Sequence, residues 1–362
     1  MILIPIGTKA QLIKMAPVMR SLDREGVNYD FVLTGQHAET MMDLITVFGL
    51  KKPAYILAPI IEANTHQKLR QWLVRILKDG LPKSSPISQG NYQYCLVHGD
   101  TLSTPIAALL AKRHSIKVAH IEAGLRSFNI FHPFPEELVR IGVSWLADFH
   151  YSPGAWASQN LKLKGNAKPI INTIENTLLD SVRIALENDQ QYQEGNTPYA
   201  IASIHRYENI SNEKRFNFIM SQIMDISTQC PVRFVLHPAT REKLSHSHWQ
   251  EKLLSSPRIS LVPRMDYIKF INLINKSKLI ITDGGSNQEE CHYLGIPCLI
   301  MRKHTERQEG IGSNAVLANY DPQIIQNFVK NALSISAHSI KPIINSEIYP
   351  SDTIAKHLKS LL

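Results

Sequence analysis

Short apolar runs alternate along nearly the whole chain with longer stretches whose apolar residues recur every three or four positions. Runs at Met1–Ile6, Tyr29–Thr34, Tyr94–His98, Lys117–Ile121 and Phe149–Ser152 predict strands. Leu12–Asp23, Thr65–Leu77, Thr104–Arg113, Glu136–Leu146 and Trp156–Leu163 predict the helices between them. The second half repeats the plan, with strands predicted at Tyr199–Ile204, Arg233–Leu236, Ile259–Val262, Leu279–Thr282 and Pro297–Met301, although no sequence repeat is visible. Such alternation is the signature of parallel sheets covered by helices. It predicts an α/β fold of two Rossmann-like, doubly wound domains facing a cleft, residues 1–170 and 171–350. The break falls where Gly165–Asn176 interrupts the alternation. A last helix, Asp352–Leu361, is expected to be capped by Ser351-Asp352 and to complete the first domain. Pro82–Asn91 and Glu187–Pro198 read as irregular loops.

Composition narrows the classes. With 362 residues, 44% hydrophobic and 19% charged, the chain can bury two cores and is not a disordered segment. Aromatics at 7% argue against a platform for stacked bases. No apolar run approaches the ~20 residues of a membrane span, and MILIPIGTK does not read as a signal peptide. Cys95, Cys230, Cys291 and Cys298 form no CxxC pair, which suits reduced, buried thiols in a cytoplasmic protein. The net charge of +8 is concentrated in residues 1–170, with nineteen basic and twelve acidic side chains against twenty and nineteen in the remainder. An anionic substrate, an anionic acceptor, an acidic membrane surface or simply solvated lysines would each account for it. No basic run or recognition-helix pattern points to nucleic acid.

In doubly wound sheets ligands bind beyond the carboxyl ends of the strands, so the polar residues there carry the candidate chemistry. Gly7-Thr8 leads from the first strand into a helix bearing Lys9 and Lys14, which suits a phosphate or an ordinary strand-to-helix turn. It matches neither the GxGxxG dinucleotide fingerprint nor the GxxxxGK[ST] phosphate loop. Asp100 follows the third predicted strand and Glu122 the fourth, while Glu136 opens the next helix. Three carboxylates converging on a dry site suit general acid–base work. Asp100 also reads as a cap and Glu136 as a first-turn acid; Glu122 is the hardest to explain structurally. In the second half His205-Arg206 and His237 follow strands, as phosphate or leaving-group contacts or as interior histidines. Thr282-Asp283-Gly284-Gly285-Ser286 leads into a helix as an anion-binding nest, with Glu290 one turn on, placed for a ribose. Arg307 adds a further cation. No HxxxH, HExxH or GxSxG pattern occurs, so neither a metal site nor a serine nucleophile is expected.

Taken in order, GTKAQLIKMAP (7–17), TGQH (34–37), HGDTLST (98–104), HIEAGLRS (120–127), PFPEE (133–137), HRYEN (205–209), TDGGSNQEE (282–290) and TERQE (305–309) resemble the non-hydrolysing UDP-N-acetylglucosamine 2-epimerases. The resemblance runs from Gly7 to about Ala318 and implies the GT-B arrangement of two Rossmann-like domains. It also implies elimination of UDP from a UDP-2-acetamido sugar and its re-addition with inversion at carbon 2, for surface polysaccharide synthesis, without a cofactor. By motif match Asp100, Glu122 and Glu136 are the acid–base groups, and His205 and Lys14 stabilise departing UDP. Lys9, Arg140, Arg206, His237, Gly284, Gly285, Ser286, Glu290 and Arg307 bind the UDP-sugar, and a homodimer is expected. The family's GTRPE, DSGG, GNT and TERPE read here as Gly7–Gln11, Asp283–Ser286, Glu175–Thr177 and Thr305–Glu309. All four departures are expected on the nucleotide side, and the sugar is left open. A glycosyltransferase of the same fold is the alternative activity, and a UDP-sugar-binding regulator the non-enzymatic one.

Overall fold

The structure, a computed structural model, describes residues 1–35, 41–58, 66–129, 135–163, 168–188, 197–334 and 341–362. The chain divides into two compact units, Met1–Ile184 with Glu347–Leu362, and Ala185–Ser346. Among the described residues no helix is long and apolar enough to cross a membrane.

The first unit is built on a parallel sheet of β1 (Ile2–Ile6), β2 (Tyr29–Leu33), β3 (Tyr55–Ile56), β4 (Tyr94–His98), β5 (Lys117–Ile121), β6 (Phe149–Ser152) and β7 (Ile170–Asn172), in the order β3-β2-β1-β4-β5-β6-β7. The second carries β8 (Ala200–Ser203), β9 (Val232–Leu236), β10 (Ile259–Pro263), β11 (Leu279–Thr282), β12 (Cys298–Ile300) and β13 (Ala315–Leu317), in the order β10-β9-β8-β11-β12-β13. Each chain segment winds outward from its first strand, then returns past it and winds the other way, so both units are Rossmann-like. β1, β4, β8 and β11 are buried at every position, as strands covered by helices on both faces must be.

The ten predicted strands are all present, with ends shifted by at most one residue. β3, β7 and β13 were not predicted; two or three residues are too few to show a period. β7 explains the interruption expected as the domain break. Ile170 pairs with His150 and Asn172 with Ser152, so this stretch extends the first sheet, and helix Leu178–Glu187 follows it. Within 82–91 a short helix, Pro86–Gln89, is capped by Ser85. Residues 36 and 37 of TGQH, 133 and 134 of PFPEE, Thr65, and 189–196 of the second expected loop lie outside the described residues.

The last helix, Pro350–Leu361, packs on helix Lys9–Arg24, where Ser21 Oγ donates to Asp352 Oδ1 at 2.7 Å. The expected Ser351-Asp352 cap is not the one used. Tyr349 is the N-cap and makes no side-chain bond, while Pro350 occupies the first turn, where its missing N–H costs nothing. The Ser351 N–H instead donates to Asp180 Oδ2 at 2.9 Å.

Gly124, in the turn after β5, shows how tightly helix Gly154–Lys162 closes on the sheet. Its φ is +91°, its carbonyl accepts from Asn160 Nδ2 at 3.0 Å, and a Cβ would lie 2.2 Å from the Ala157 carbonyl oxygen. Gly124→Ala should therefore lose roughly 2–5 kcal/mol, left-handed backbone and overpacking together. Denaturant unfolding checks this; a variant as stable as its parent would mean that the helix can yield.

Candidate active site

In each sheet the strand order reverses between two neighbours, β1/β4 and β8/β11, and the turns that leave them diverge. In the first unit Thr8 and Gln11 close a reciprocal capping box at the start of helix Lys9–Arg24. Gln11 does more than cap. Its Oε1 accepts from the Gly7 N–H at 2.8 Å, and its Nε2 donates to the His98 carbonyl at 2.9 Å, tying the β1 turn to the β4 turn. Lys9 is half-buried at the helix start. Lys14 is buried and donates to Glu122 Oε1 at 2.6 Å.

Glu122 is the centre of this set. It is 8% exposed and has φ +63°, a left-handed conformation that costs a non-glycine residue about 1–3 kcal/mol and concentrates at functional sites. Asn176 Nδ2 donates to the same Oε1 at 2.7 Å, and His98 Nε2 lies 3.6 Å from Oε2. Gly99 presses on the carboxylate: its φ is +66° and a Cβ would stand 3.2 Å from Oε2. Beneath it, His120 Nε2 is 2.9 Å from the Gly99 carbonyl. Burial pushes the His120 imidazole down to about 4, so near neutral pH it is uncharged and donates from Nε2.

Asp100, next in the turn, accepts from Arg140 Nη2 at 2.5 Å. Arg140 stands one turn after Glu136 on helix Glu136–Leu146, so both face the same side. Arg140 Nη1 also lies 3.6 Å from Glu137 Oε2. Glu136 is half-buried, and among the described residues its buried Oε2 has no hydrogen-bond partner. The structure thus gives the three carboxylates different settings: Glu122 ion-paired, Asp100 on a guanidinium, Glu136 with a bare oxygen.

In the second unit Ser203 pairs with Thr282, so the turns after β8 and β11 run side by side. Asp283 joins them. It is fully buried and accepts from the backbone N–H groups of His205 (2.9 Å) and Arg206 (3.0 Å) and from Asn209 Nδ2 (2.9 Å). The His205 ring stacks on His237, centroids 4.4 Å apart, and comes so close to Gly284 that a Cβ there would meet it at 2.8 Å. Burial lowers both imidazoles, His237 to about 4. Gly284 is the N-cap of helix Gly285–Leu294, with φ −86° and ψ 128°. The expected nest is therefore a plain helix N-terminus, with Gly285 and half-buried Ser286 in its first turn. Glu290 accepts from Asn287 Nδ2 at 2.9 Å and faces the buried Tyr267 hydroxyl.

Arg307 lies beside Gly285 at the helix start, but it is not paired with Glu290. Its Nη1 pairs with the preceding residue, Glu289, at 3.0 Å, because one step along a helix turns the side chain by ~100°. Arg206 and Arg302 each reach Glu306 at 3.2 Å. Burial alone would raise the Glu306 carboxyl, but Arg206, Arg302 and Arg307 hold it down at about 2.

Comparison with known proteins decides the lineage. A sequence profile described as UDP-N-acetylglucosamine 2-epimerase matches residues 20–359. The chain belongs to this family. It is 32% identical to a UDP-N-acetylglucosamine 2-epimerase of Methanococcus maripaludis over 351 residues, 93% of each chain. It superposes on the Methanocaldococcus jannaschii UDP-GlcNAc 2-epimerase, solved with UDP-GlcNAc and UDP, with TM-score 0.84, 27% identity and 99% of each chain covered. A Streptomyces sp. SF2575 glycosyltransferase solved with thymidine diphosphate gives TM-score 0.56 at 11% identity, covering 99% of each chain, and shares the fold alone.

For an epimerase of this family two expectations need correcting. Gln11 and the Glu175–Thr177 stretch, read as departures on the nucleotide side, sit in the unit that holds Asp100, Glu122 and Glu136; Gln11 donates to the His98 carbonyl, and Asn176, where the family's asparagine is kept, donates to Glu122. Neutral amides carry no charge signal, so sequence alone assigned Gln11 and Asn176 no role of their own; Asp283 was named only within the nest, and Tyr267 was not singled out. The stacked histidines predict a pH effect. Burial holds His237 at about 4 against an ordinary 6.5, so acidification protonates the unfolded chain first. Stability should fall from pH 6.5 towards 4. The difference in Tm between pH 7 and pH 5 should be smaller in His237→Asn than in the parent; equal differences would show that His237 does not contribute.

Proposed function

We propose that the protein interconverts UDP-N-acetylglucosamine, or a closely related UDP-2-acetamido sugar, with its carbon 2 epimer in the cytoplasm, feeding surface polysaccharide synthesis. The observation that carries this reading is Glu122, a buried carboxylate held in left-handed backbone beside Lys14 in the turn after β5, next to the β4 turn that carries Asp100. In the reaction a base takes the proton from carbon 2. The electron pair of that bond forms the carbon 1–carbon 2 double bond while the bond from carbon 1 to the UDP oxygen breaks. UDP then adds back, and a proton arrives on the opposite face of carbon 2. Two acid–base groups are therefore required, and Glu122, Asp100 and Glu136 are the candidates. Lys14 would offset charge developing on the leaving diphosphate, with Lys9 and Arg140 nearby in sequence or contact.

The second unit's set would hold the nucleotide: the N–H groups of Gly285 and Ser286, beside Gly284 whose own N–H donates to Thr282 Oγ1 at 3.1 Å, and the side chains of Arg206, Arg307, His205 and His237 for phosphates, Glu290 for the ribose. His205 is neutral at pH 7 and would offer a hydrogen bond rather than a charge. A homodimer is part of the reading. It is supported by exposed apolar side chains on one helix and its packed neighbour: Leu138 and Trp145 on Glu136–Leu146, Leu109 on Ser103–Arg113. Light scattering at the monomer mass would remove it.

Incubation with UDP-GlcNAc in deuterated water tests the chemistry directly. Deuterium should enter carbon 2, and Glu122→Gln should slow its entry by about 10²–10⁴-fold with UDP affinity little changed. No exchange with any of several UDP-2-acetamido sugars would sink the activity. On the nucleotide side, Glu290→Gln keeps the shape of the side chain but removes its charge. It should weaken UDP binding by about 1–3 kcal/mol in calorimetry; an unchanged affinity would place the ribose elsewhere.

A further inference from the structure

Asn176 lies in the segment between β7 and helix Leu178–Glu187, which is pinned on both sides. Thr173 Oγ1 donates to the Glu175 carbonyl at 2.8 Å, and Ile174, a β-branched residue, sits at φ +67°. Both ends of the Asn176 amide are in use. Oδ1 accepts from the Leu178 N–H and from Thr177 Oγ1, each at 3.3 Å, an Asx-type bond at the helix entrance. With the oxygen fixed by an N–H donor, the amide nitrogen has to point the other way, and there it meets Glu122 Oε1 at 2.7 Å. Asn176 is 2% exposed, so water does not compete for this bond.

Lys14 and Asn176 thus converge on one oxygen of Glu122, while the other, Oε2, is turned toward His98 and Gly99. We infer that Asn176 is a positioning residue: with Lys14 it anchors Oε1 and thereby presents Oε2 as the oxygen that takes the carbon 2 proton. This rests on the proposed role of Glu122 as an acid–base group. Among the described residues, charged and titratable groups that face the carboxylate include Lys14 from helix Lys9–Arg24, His98 from the end of β4 and His120 from β5. Lys14 and the Asn176 amide favour the ionised form, so removing the amide makes the carboxyl a group that holds its proton to higher pH.

Two substitutions keep the acceptor that bonds the helix entrance and change only what Glu122 meets. Asn176→Ser is too short to reach Oε1. It should lower kcat for UDP-GlcNAc epimerisation about 10–100-fold, the loss of one charge-assisted hydrogen bond, with KM little changed. Asn176→Asp sets a second carboxylate against the first, and should move the acid limb of the pH–kcat profile upward by about one pH unit or more. Thr173→Val perturbs the same segment without touching Glu122 and should leave the profile in place. If Glu122→Gln is inactive but Asn176→Ser keeps its kcat and the Asn176→Asp profile overlays the parent's, the catalytic assignment stands and Asn176 only shapes the helix entrance. If Glu122→Gln turns over normally, the assignment of Glu122 fails, and this inference with it. Should Asn176→Asp prove too unstable to assay, the split between kcat and KM in Asn176→Ser decides.

Discussion

Parallel pairing forces every strand to return through a helix, so all strands of one sheet deliver their carboxyl ends to the same edge. Where the order reverses, at β1/β4 and again at β8/β11, two successive turns leave in opposite directions and leave room between them. Gln11, Lys14, His98, Asp100, His205, Asp283 and Glu290 belong to a turn at one of these two places or to a helix that starts from one, and Glu122 follows the neighbouring strand β5. The turns are held in pairs by side chains of the opposite turn. Gln11 bonds the His98 carbonyl in one unit, and Asp283 bonds the backbone of His205 and Arg206 in the other. The chemistry depends on this cross-bracing, because a group that must meet a substrate atom within a few tenths of an ångström cannot sit on a turn that moves by itself.

The two units stabilise a buried carboxylate in different ways, and the difference follows their use. Asp283 meets two backbone N–H groups and an amide. Backbone donors cannot move away without dismantling the turns, so this carboxylate is part of the framework. Glu122 meets a lysine and one amide. A lysine on a flexible stem can exchange partners, and a carboxylate whose cation can leave is able to change its affinity for a proton. A buried ion pair adds little to stability by itself. The left-handed backbone at Glu122 points the same way, since a conformation that costs free energy is retained where it aims a side chain.

Sequence patterning reached the fold through its long elements. Central strands such as Tyr94–His98 and Leu279–Thr282 are continuous apolar runs because both their faces are covered, and their bounds are legible to the residue. Edge strands β3, β7 and β13 are not, because an edge strand needs only two or three paired residues to end a sheet. The acidic candidates were legible for a related reason: a carboxylate directly after an apolar strand has no bland place to go. Helical phase was the harder matter. Glu289 and Glu290 are adjacent and chemically alike, yet one pairs with Arg307 and the other faces Asn287 and Tyr267. Which is which depends on rotation of the helix against β12 and the 305–309 segment, and nothing in either residue type reports that.

The same logic explains which departures from the family motifs the fold can absorb. A phosphate at a helix N-terminus is held by backbone N–H groups and the helix dipole, so moving a hydroxyl from one first-turn position to another leaves the main donors in place. Space is less forgiving. Gly284 has the His205 ring and Asn287 Oδ1 both 2.8 Å from where a Cβ would be, and Gly7 has Ser103 Oγ at 2.4 Å. Serine could migrate along the turn because it contributes a side chain that backbone donors can replace. The family's serine falls at position 284, where in this chain the His205 ring takes up the space a side chain would need.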